Sequence, residues 1–156
     1  MKQLFTFAIT LLVVLAAPPV QSADYQRGVE ASLRRDFAAA YQEWEPLARQ
    51  GDASSQFQLG WLYIEGNGVA QDVKQGIEWY TRSAQQGYAF AQTALGRIYE
   101  NGTGVQKNDP VALMWYSIAA STWDKSAAPD RDRLAAQMPP DQLSEAQRLL
   151  STWNAR

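Results

Sequence analysis

Apolar residues recur at spacings of three and four along most of the chain, which is the pattern of helices with one buried face. One such stripe spans residues 55–63 and a second spans residues 73–84. Between them stand Gly66 and Gly68, and glycine readily takes the positive φ at which helices end. Asp72 precedes the second stripe in the position of an N-cap. The pattern therefore predicts a pair of helices joined by a short, glycine-containing loop.

The same helix pair occurs again 36 residues later. Residues 53–88 align with residues 89–124 without a gap, and Leu-Gly, Tyr, Gly-x-Gly-Val and Trp-Tyr recur in one register. Shifted back by the same offset, residues 36–51 match the second half of an earlier unit. A period of this length, with one helix pair in each unit, is typical of solenoid repeats. The sequence thus predicts an all-α chain of stacked helix pairs.

The helical segments on either side of the repeats belong to the same predicted domain, residues 24–156. Its predicted parts in chain order are an N-terminal helix pair, two repeats and capping helices, at 24–52, 53–88, 89–124 and 129–156. Two prolines and an aspartate at 139–141 open the last helix, since proline is tolerated in a first helical turn. An apolar face follows them, as expected of a helix that closes the array.

These motifs resemble the Sel1-like repeat (SLR) family, which is related to tetratricopeptide repeats. The resemblance rests on A-x-x-x-L-G-x-x-Y-x-x-G-x-G-V followed by D-x-x-x-(A/G)-x-x-W-Y, and it covers residues 24–124. Ser55 and Gly76 replace the alanines that the second repeat keeps at Ala91 and Ala112. The resemblance implies a right-handed α-solenoid that acts as a scaffold or adaptor and not as an enzyme. Independently, stacked helix pairs present an extended concave surface that such arrays use for binding.

The N-terminal residues have the order of a secretory signal peptide. Lys2 gives a positive start, residues 4–17 are almost wholly apolar, and Pro18 ends the run before small residues. Cleavage is predicted after Ser22 or Ala23. An uncleaved anchor is the alternative, but this apolar run is shorter than the ~20 residues that span a bilayer. We expect residues 1–22 to direct export, which leaves a periplasmic or secreted protein of a Gram-negative bacterium without stable membrane insertion.

The composition narrows the chemistry that this chain can perform. It contains no histidine and no cysteine, which excludes Ser-His-Asp and Cys-His catalysis as well as imidazole and thiolate metal sites. A net charge of −2 argues against nucleic-acid binding, which depends on neutralising phosphates. The glycine-containing loops lack the Lys-Ser/Thr pair of a phosphate-binding loop. We therefore predict no catalytic residue, no metal and no cofactor.

Differences between the two repeats indicate a candidate binding surface. Positions that change character lie outside the repeat-to-repeat core, and three of them share one side of the first helix in each unit. This stripe is apolar in the first repeat and polar in the second, so an apolar anchor would adjoin a polar rim. The predicted partner-binding residues are Phe57, Trp61, Ile64, Glu65, Thr93, Arg97 and Glu100. Alternatively, the apolar stripe packs on the N-terminal helix, 24–35, or on the C-terminal cap, and is ordinary core.

Two functions of different classes follow from these observations. The first is an exported, non-catalytic module that holds a partner protein or peptide in its concave groove, and so short an array is also compatible with self-association. The second is a binder or hydrolase of cell-wall glycan or peptide that uses groove aromatics and carboxylates. Glycoside hydrolysis needs two carboxylates on one groove face, and the spacing of the acidic residues provides no such pair. The interaction module is therefore the predicted function.

Overall fold

The computed structural model describes residues 20–122 and 126–154, and in this part of the chain the regular structure is entirely helical. The helices are α1 (Val20–Leu33), α2 (Phe37–Arg49), α3 (Ala53–Glu65), α4 (Val73–Gln85), α5 (Ala89–Asn101), α6 (Asp109–Ala120), α7 (Ala128–Ala135) and α8 (Pro140–Asn154). From α1 to α7 each helix packs on the next one in the chain, and α8 returns to pack on α6. The predicted all-α solenoid of helix pairs is confirmed, with two C-terminal helices against its last pair.

Most of the predicted signal peptide, residues 1–19, lies outside the described residues. The predicted cleavage points after Ser22 and Ala23 fall in the first turn of α1. Export and cleavage therefore stay predictions.

The starts of four helices are fixed by side-chain caps. Asp36, Asp52, Asp72 and Asn108 each accept a hydrogen bond from the backbone N–H three residues further on, at 2.7 to 3.1 Å. Such a bond satisfies a donor that the helix itself leaves free, and it stabilises the helix by about 1 kcal/mol. Helix α5 differs, because Tyr88 occupies its N-cap position and makes no side-chain cap bond. The ring of Tyr88 contacts the rings of Phe57 and Phe90 instead.

The loop between α3 and α4 packs the first repeat against the unit before it. Gly66 ends α3 in the left-handed region, at φ 69°, and Gly68 is also left-handed, at φ 70°. Gly68 lies directly on the backbone at the start of α2. A β-carbon at this position would stand 2.5 Å from the carbonyl carbon of Phe37. The close approach of loop and helix thus requires a residue without a side chain.

The repeated apolar positions form the core between units. Leu59 and its counterpart Leu95 are completely buried, and the counterparts Tyr80 and Tyr116 are buried as well. Gly60 makes room for the first of these tyrosines, because a β-carbon there would lie 2.5 Å from the Tyr80 ring. The same small and large residues therefore meet in each repeat, which keeps the helix pairs in register.

Helix α1 covers the N-terminal end of the stack by way of Trp44 in α2. The Trp44 side chain is 1% exposed, and its indole N–H donates to the carbonyl oxygen of Tyr25 at 3.2 Å. Gly28 lies against the indole, so closely that a β-carbon there would be 2.3 Å from the ring nitrogen. This ring, held under a glycine, fastens α1 to the rest of the array.

Candidate functional site

An open pocket of about 530 Å³ lies between α3 and α5, over the ring of Tyr80 from α4. We call it the α3/α5 pocket. Its lining residues are Phe57, Ile64, Glu65, Tyr80, Phe90, Thr93, Ala94, Arg97 and Ile98. Five of the seven predicted partner-binding residues are among them: Phe57, Ile64, Glu65, Thr93 and Arg97. The structure therefore brings these five together, while their role in binding stays a prediction.

One end of the α3/α5 pocket is aromatic. Phe57 stacks on Tyr80, with ring centres 5.1 Å apart and planes 18° apart. It also contacts Tyr88 at 5.4 Å and Phe90 at 6.3 Å between ring centres. Phe90 is 50% exposed, although large apolar side chains are usually buried. The exposed ring of Phe90, beside the half-buried rings of Phe57 and Tyr88, provides a surface for a large apolar group.

The other end of the pocket is charged and joins α5 to α7. Arg97 donates to Asp130 at 3.3 Å. One turn further along α5, Glu100 accepts two hydrogen bonds from Arg133, at 2.8 and 3.0 Å. The phenol of Tyr116 donates to the same carboxylate at 2.9 Å. These bonds link α7 to α5, in addition to the packing of α7 on α6.

Three contacts between the successive helices α3, α5 and α7 join residues 33 apart along the chain. Glu100 bonds to Arg133 and Arg97 to Asp130, each 33 residues further on. Phe57 meets Phe90 at the same separation. Facing first helices of successive units therefore meet through residues 33 apart, three fewer than the repeat period.

Glu65, the last residue of α3, differs from the other acidic groups at this end. Its exposed side chain forms neither a hydrogen bond nor an ion pair with any residue that the structure describes. Burial raises the pKa of the Tyr80 phenol, and the nearby charge of Glu65 raises that pKa further. The pocket thus ends in an unpaired carboxylate close to a buried tyrosine.

Two predicted partner-binding residues lie outside the pocket lining. Trp61 is half-buried and turns toward α2, where its ring meets Phe37 edge-on at 5.5 Å between centres. Glu100 is half-buried and occupied by Arg133 and Tyr116. The apolar stripe is therefore divided, since its middle residue packs on the preceding unit while Phe57 and Ile64 face the groove.

Trp61 is expected to contribute to stability and not to partner binding. Trp61→Ala removes the edge-on contact and a half-buried ring, so we expect the free energy of unfolding to fall by about 1–2 kcal/mol. Urea denaturation measures this loss. Partner binding by the folded variant should match the wild type, and unchanged stability with weakened binding would contradict this assignment.

Glu100 is expected to make the attachment of α7 sensitive to acid. The bonds from Arg133 hold the pKa of Glu100 below its ordinary value of 4.5, against the opposing effect of partial burial. A lowered folded-state pKa stabilises the fold above the unfolded-state pKa, and this contribution disappears as the pH falls through the folded value. Glu100→Gln should therefore destabilise most at neutral pH, and its difference from wild type should shrink below the ordinary pKa.

Urea denaturation of both proteins between about pH 7 and pH 3 measures this dependence. Glu145→Gln is the control, because Glu145 pairs with Arg148 on the exposed side of α8. Its effect on stability should be smaller at every pH. A loss for Glu100→Gln that stays constant across the range would refute the linkage.

Sequence reasoning missed three aromatic residues of the groove. Tyr80 is one of the repeated positions that form the core, and it also lines the pocket. Phe90 stands where the first repeat has Ser54, and Tyr88, which directly precedes the second repeat, stands where Asp52 precedes the first. Both substitutions are visible in the alignment of the repeats, where two aromatics replace a serine and a helix-capping aspartate.

Two further properties concern only residues 20–122 and 126–154. No helix there has both the length and the apolar character that crossing a membrane requires. The acidic side chains of the same region form no group of three or more that could hold a metal ion.

Helix pairs that recur every 36 residues and stack on one another define a tetratricopeptide-like α-solenoid repeat protein. The Sel1 repeat family model matches residues 53–88 and 89–121. The chain accordingly contains two Sel1 repeats, as its sequence motifs predicted. Proteins with this fold are typically non-catalytic scaffolds.

Two solved structures share this fold. A protective antigen of uropathogenic Escherichia coli strains, which displays an SLR fold, superimposes with a TM-score of 0.79 at 26% identity, over 85% of this chain and 29% of that one. A Sel1 repeat protein from Oxalobacter formigenes superimposes with a TM-score of 0.65 at 30% identity. The match covers 79% of this chain and 52% of that one. The chain thus matches less than two thirds of either relative's length. No curated protein matches its sequence.

Proposed function

We propose that this protein is an exported, non-catalytic module that binds a segment of a partner protein in the α3/α5 pocket. The observation that carries the proposal is the aromatic end of the pocket, where half-exposed Phe90 lies beside Phe57. An apolar side chain seated there would be desolvated, while the charged end would fix its orientation. The Sel1 repeats support the proposal, because such repeats generally mediate protein–protein interaction.

Hydrolysis of a wall glycan has less support than binding. The described residues that line the pocket include one carboxylate, Glu65, whereas glycosidases use two that flank the scissile bond. Glu100 is a poor proton donor, because Arg133 lowers its pKa and occupies its oxygens. The pocket therefore favours recognition over chemistry.

Site-specific photo-crosslinking in cells that produce this protein tests the proposed binding. A photoreactive phenylalanine analogue replaces Thr93 inside the pocket or, as the control, Glu78 on the exposed surface of α4 outside the pocket lining. We expect one protein adduct from position 93. This adduct should disappear when Phe57→Ala is introduced into the same protein, and position 78 should give no adduct of the same mass. Equal adducts from both positions, or an adduct with glycan instead of protein, would overturn the proposal.

Export is the second part of the proposal and is supported by the apolar run and its flanking residues in 1–22. Cell fractionation followed by intact-mass measurement tests it. The periplasmic or secreted protein should lack 22 or 23 N-terminal residues, as cleavage after Ser22 or Ala23 requires. A cytoplasmic protein with the mass of the uncleaved chain would show that this part is wrong.

A further inference from the structure

We infer that the partner segment in the α3/α5 pocket carries a basic side chain, lysine or arginine, near its large apolar side chain. The inference rests on the proposed function, since it specifies the partner of the same pocket. The basic group would bind the carboxylate of Glu65 while the apolar group contacts Phe57 and Phe90.

The balance of charges at the pocket is the first argument. The two arginines at its charged end are already engaged, Arg97 with Asp130 and Arg133 with both Glu100 and Asp130. These four residues carry no net charge together. Glu65 adds one negative charge, and within the described chain nothing pairs with it. An acidic ligand would meet an arginine whose charge Asp130 already balances, whereas a basic ligand finds a free carboxylate.

The second repeat provides the other argument, because it shows the same kind of contact already formed. There, the guanidinium of Arg133 reaches the Glu100 carboxylate from α7, and the phenol of Tyr116 donates to that carboxylate. Tyr80 is the counterpart of Tyr116 in the first repeat, and Glu65 is the acid near it. Within the described residues, no basic side chain forms an ion pair with Glu65. A ligand can therefore supply at Glu65 what α7 supplies at Glu100.

The separation of the two ends sets the spacing within the ligand. Phe57 and Glu65 lie eight residues apart on α3, which corresponds to ~12 Å along the helix axis. An extended peptide advances ~3.3 Å per residue. The apolar and basic side chains of the partner should thus lie about two to four residues apart. A separation of two residues suffices when the long lysine or arginine side chain extends toward Glu65.

Fluorescence anisotropy with the purified full chain tests the inference. The probes are three dye-labelled peptides with blocked termini in a Gly/Ser background, each with one phenylalanine and, three residues later, lysine, glutamine or glutamate. We expect the lysine peptide to bind about three- to tenfold more tightly than the glutamine peptide, and the glutamate peptide to bind weakest. High salt should reduce this preference.

Two variants with the same loss of charge assign the preference to one residue. Glu65→Gln should abolish the advantage of the lysine peptide and leave the affinity for the glutamine peptide unchanged. Glu78→Gln removes an exposed carboxylate outside the pocket lining and should preserve the advantage. Circular dichroism checks that both variants are folded.

Failure of this inference is distinct from failure of the proposed function. If all three peptides bind equally and lose affinity with Phe57→Ala, the pocket binds peptides but the basic group is not recognised. The same conclusion follows if the preference for lysine survives Glu65→Gln. If no peptide binds, or if Phe57→Ala leaves binding unaltered, the proposed function is overturned as well.

Discussion

Gly68→Ala is expected to lower the free energy of unfolding by about 3 kcal/mol, a large part of the stability of a small domain. Two effects add. At φ 70° an alanine occupies the left-handed region, which costs about 1–2 kcal/mol. Its methyl group would also stand 2.5 Å from the carbonyl carbon of Phe37. Because that atom belongs to the backbone of α2, only a shift of the loop away from the preceding unit relieves the clash.

Gly87→Ala separates the two effects. Gly87 is also left-handed, at φ 85°, but a β-carbon there would meet nothing within 4 Å. The free energy of unfolding of Gly87→Ala should thus fall only by the conformational cost of about 1–2 kcal/mol. Equilibrium urea denaturation followed by circular dichroism compares the two variants. Equal losses would mean that contact between the loop and α2 does not limit the stacking of units.

Trp44→Ala is expected to cost about 3–5 kcal/mol, the range found when a buried aromatic side chain is removed from a core. The ring is almost completely buried, and its indole N–H bonds to the carbonyl oxygen of Tyr25. The gap would lie against Gly28, which has no side chain with which to fill it. Helix α1 should therefore detach from α2 before the repeats unfold.

Hydrogen exchange measures this order of events, with amides of α1 losing protection first in Trp44→Ala. Trp44→Phe keeps an aromatic ring without the N–H donor and should cost less.

At the opposite end of the array, half-buried Trp153 packs edge-on to Trp115 at 5.0 Å between ring centres, so Trp153→Ala should cost about 2 kcal/mol. A smaller loss for Trp44→Ala than for Trp153→Ala would contradict the role given to Trp44.

The helix pairs were predictable because the features that define them are local. Asp72 and Asn108 cap the helices α4 and α6 that follow them. Gly66 ends the helix α3 that precedes it. These effects do not depend on residues elsewhere in the chain. The repetition after 36 residues then shows which faces meet. The position of α7 was not predictable in this way. It depends on contacts such as that between Arg133 and Glu100, whose partners lie in different units and carry no local pattern.

The candidate pocket was partly predictable for a related reason. Comparison of two repeats marks positions outside the core they share, and this found Phe57 and Ile64. The comparison cannot distinguish a groove residue from one that packs on a neighbouring unit. Trp61 contacts Phe37 of the preceding unit, and Glu100 is bound by α7, which follows the second repeat. Both have partners outside the two segments compared.

Several residues that line the groove are separate from those that hold the units together. Phe90 and Arg97, which line the groove, are distinct from Leu59 and Leu95, which are completely buried in the core. Exchanging an exposed lining residue such as Phe90 therefore changes the surface of the groove, while the buried contacts between units are retained. Under the proposed function, the ligand preference of this array could therefore diversify at positions such as Phe90 without repacking of the core.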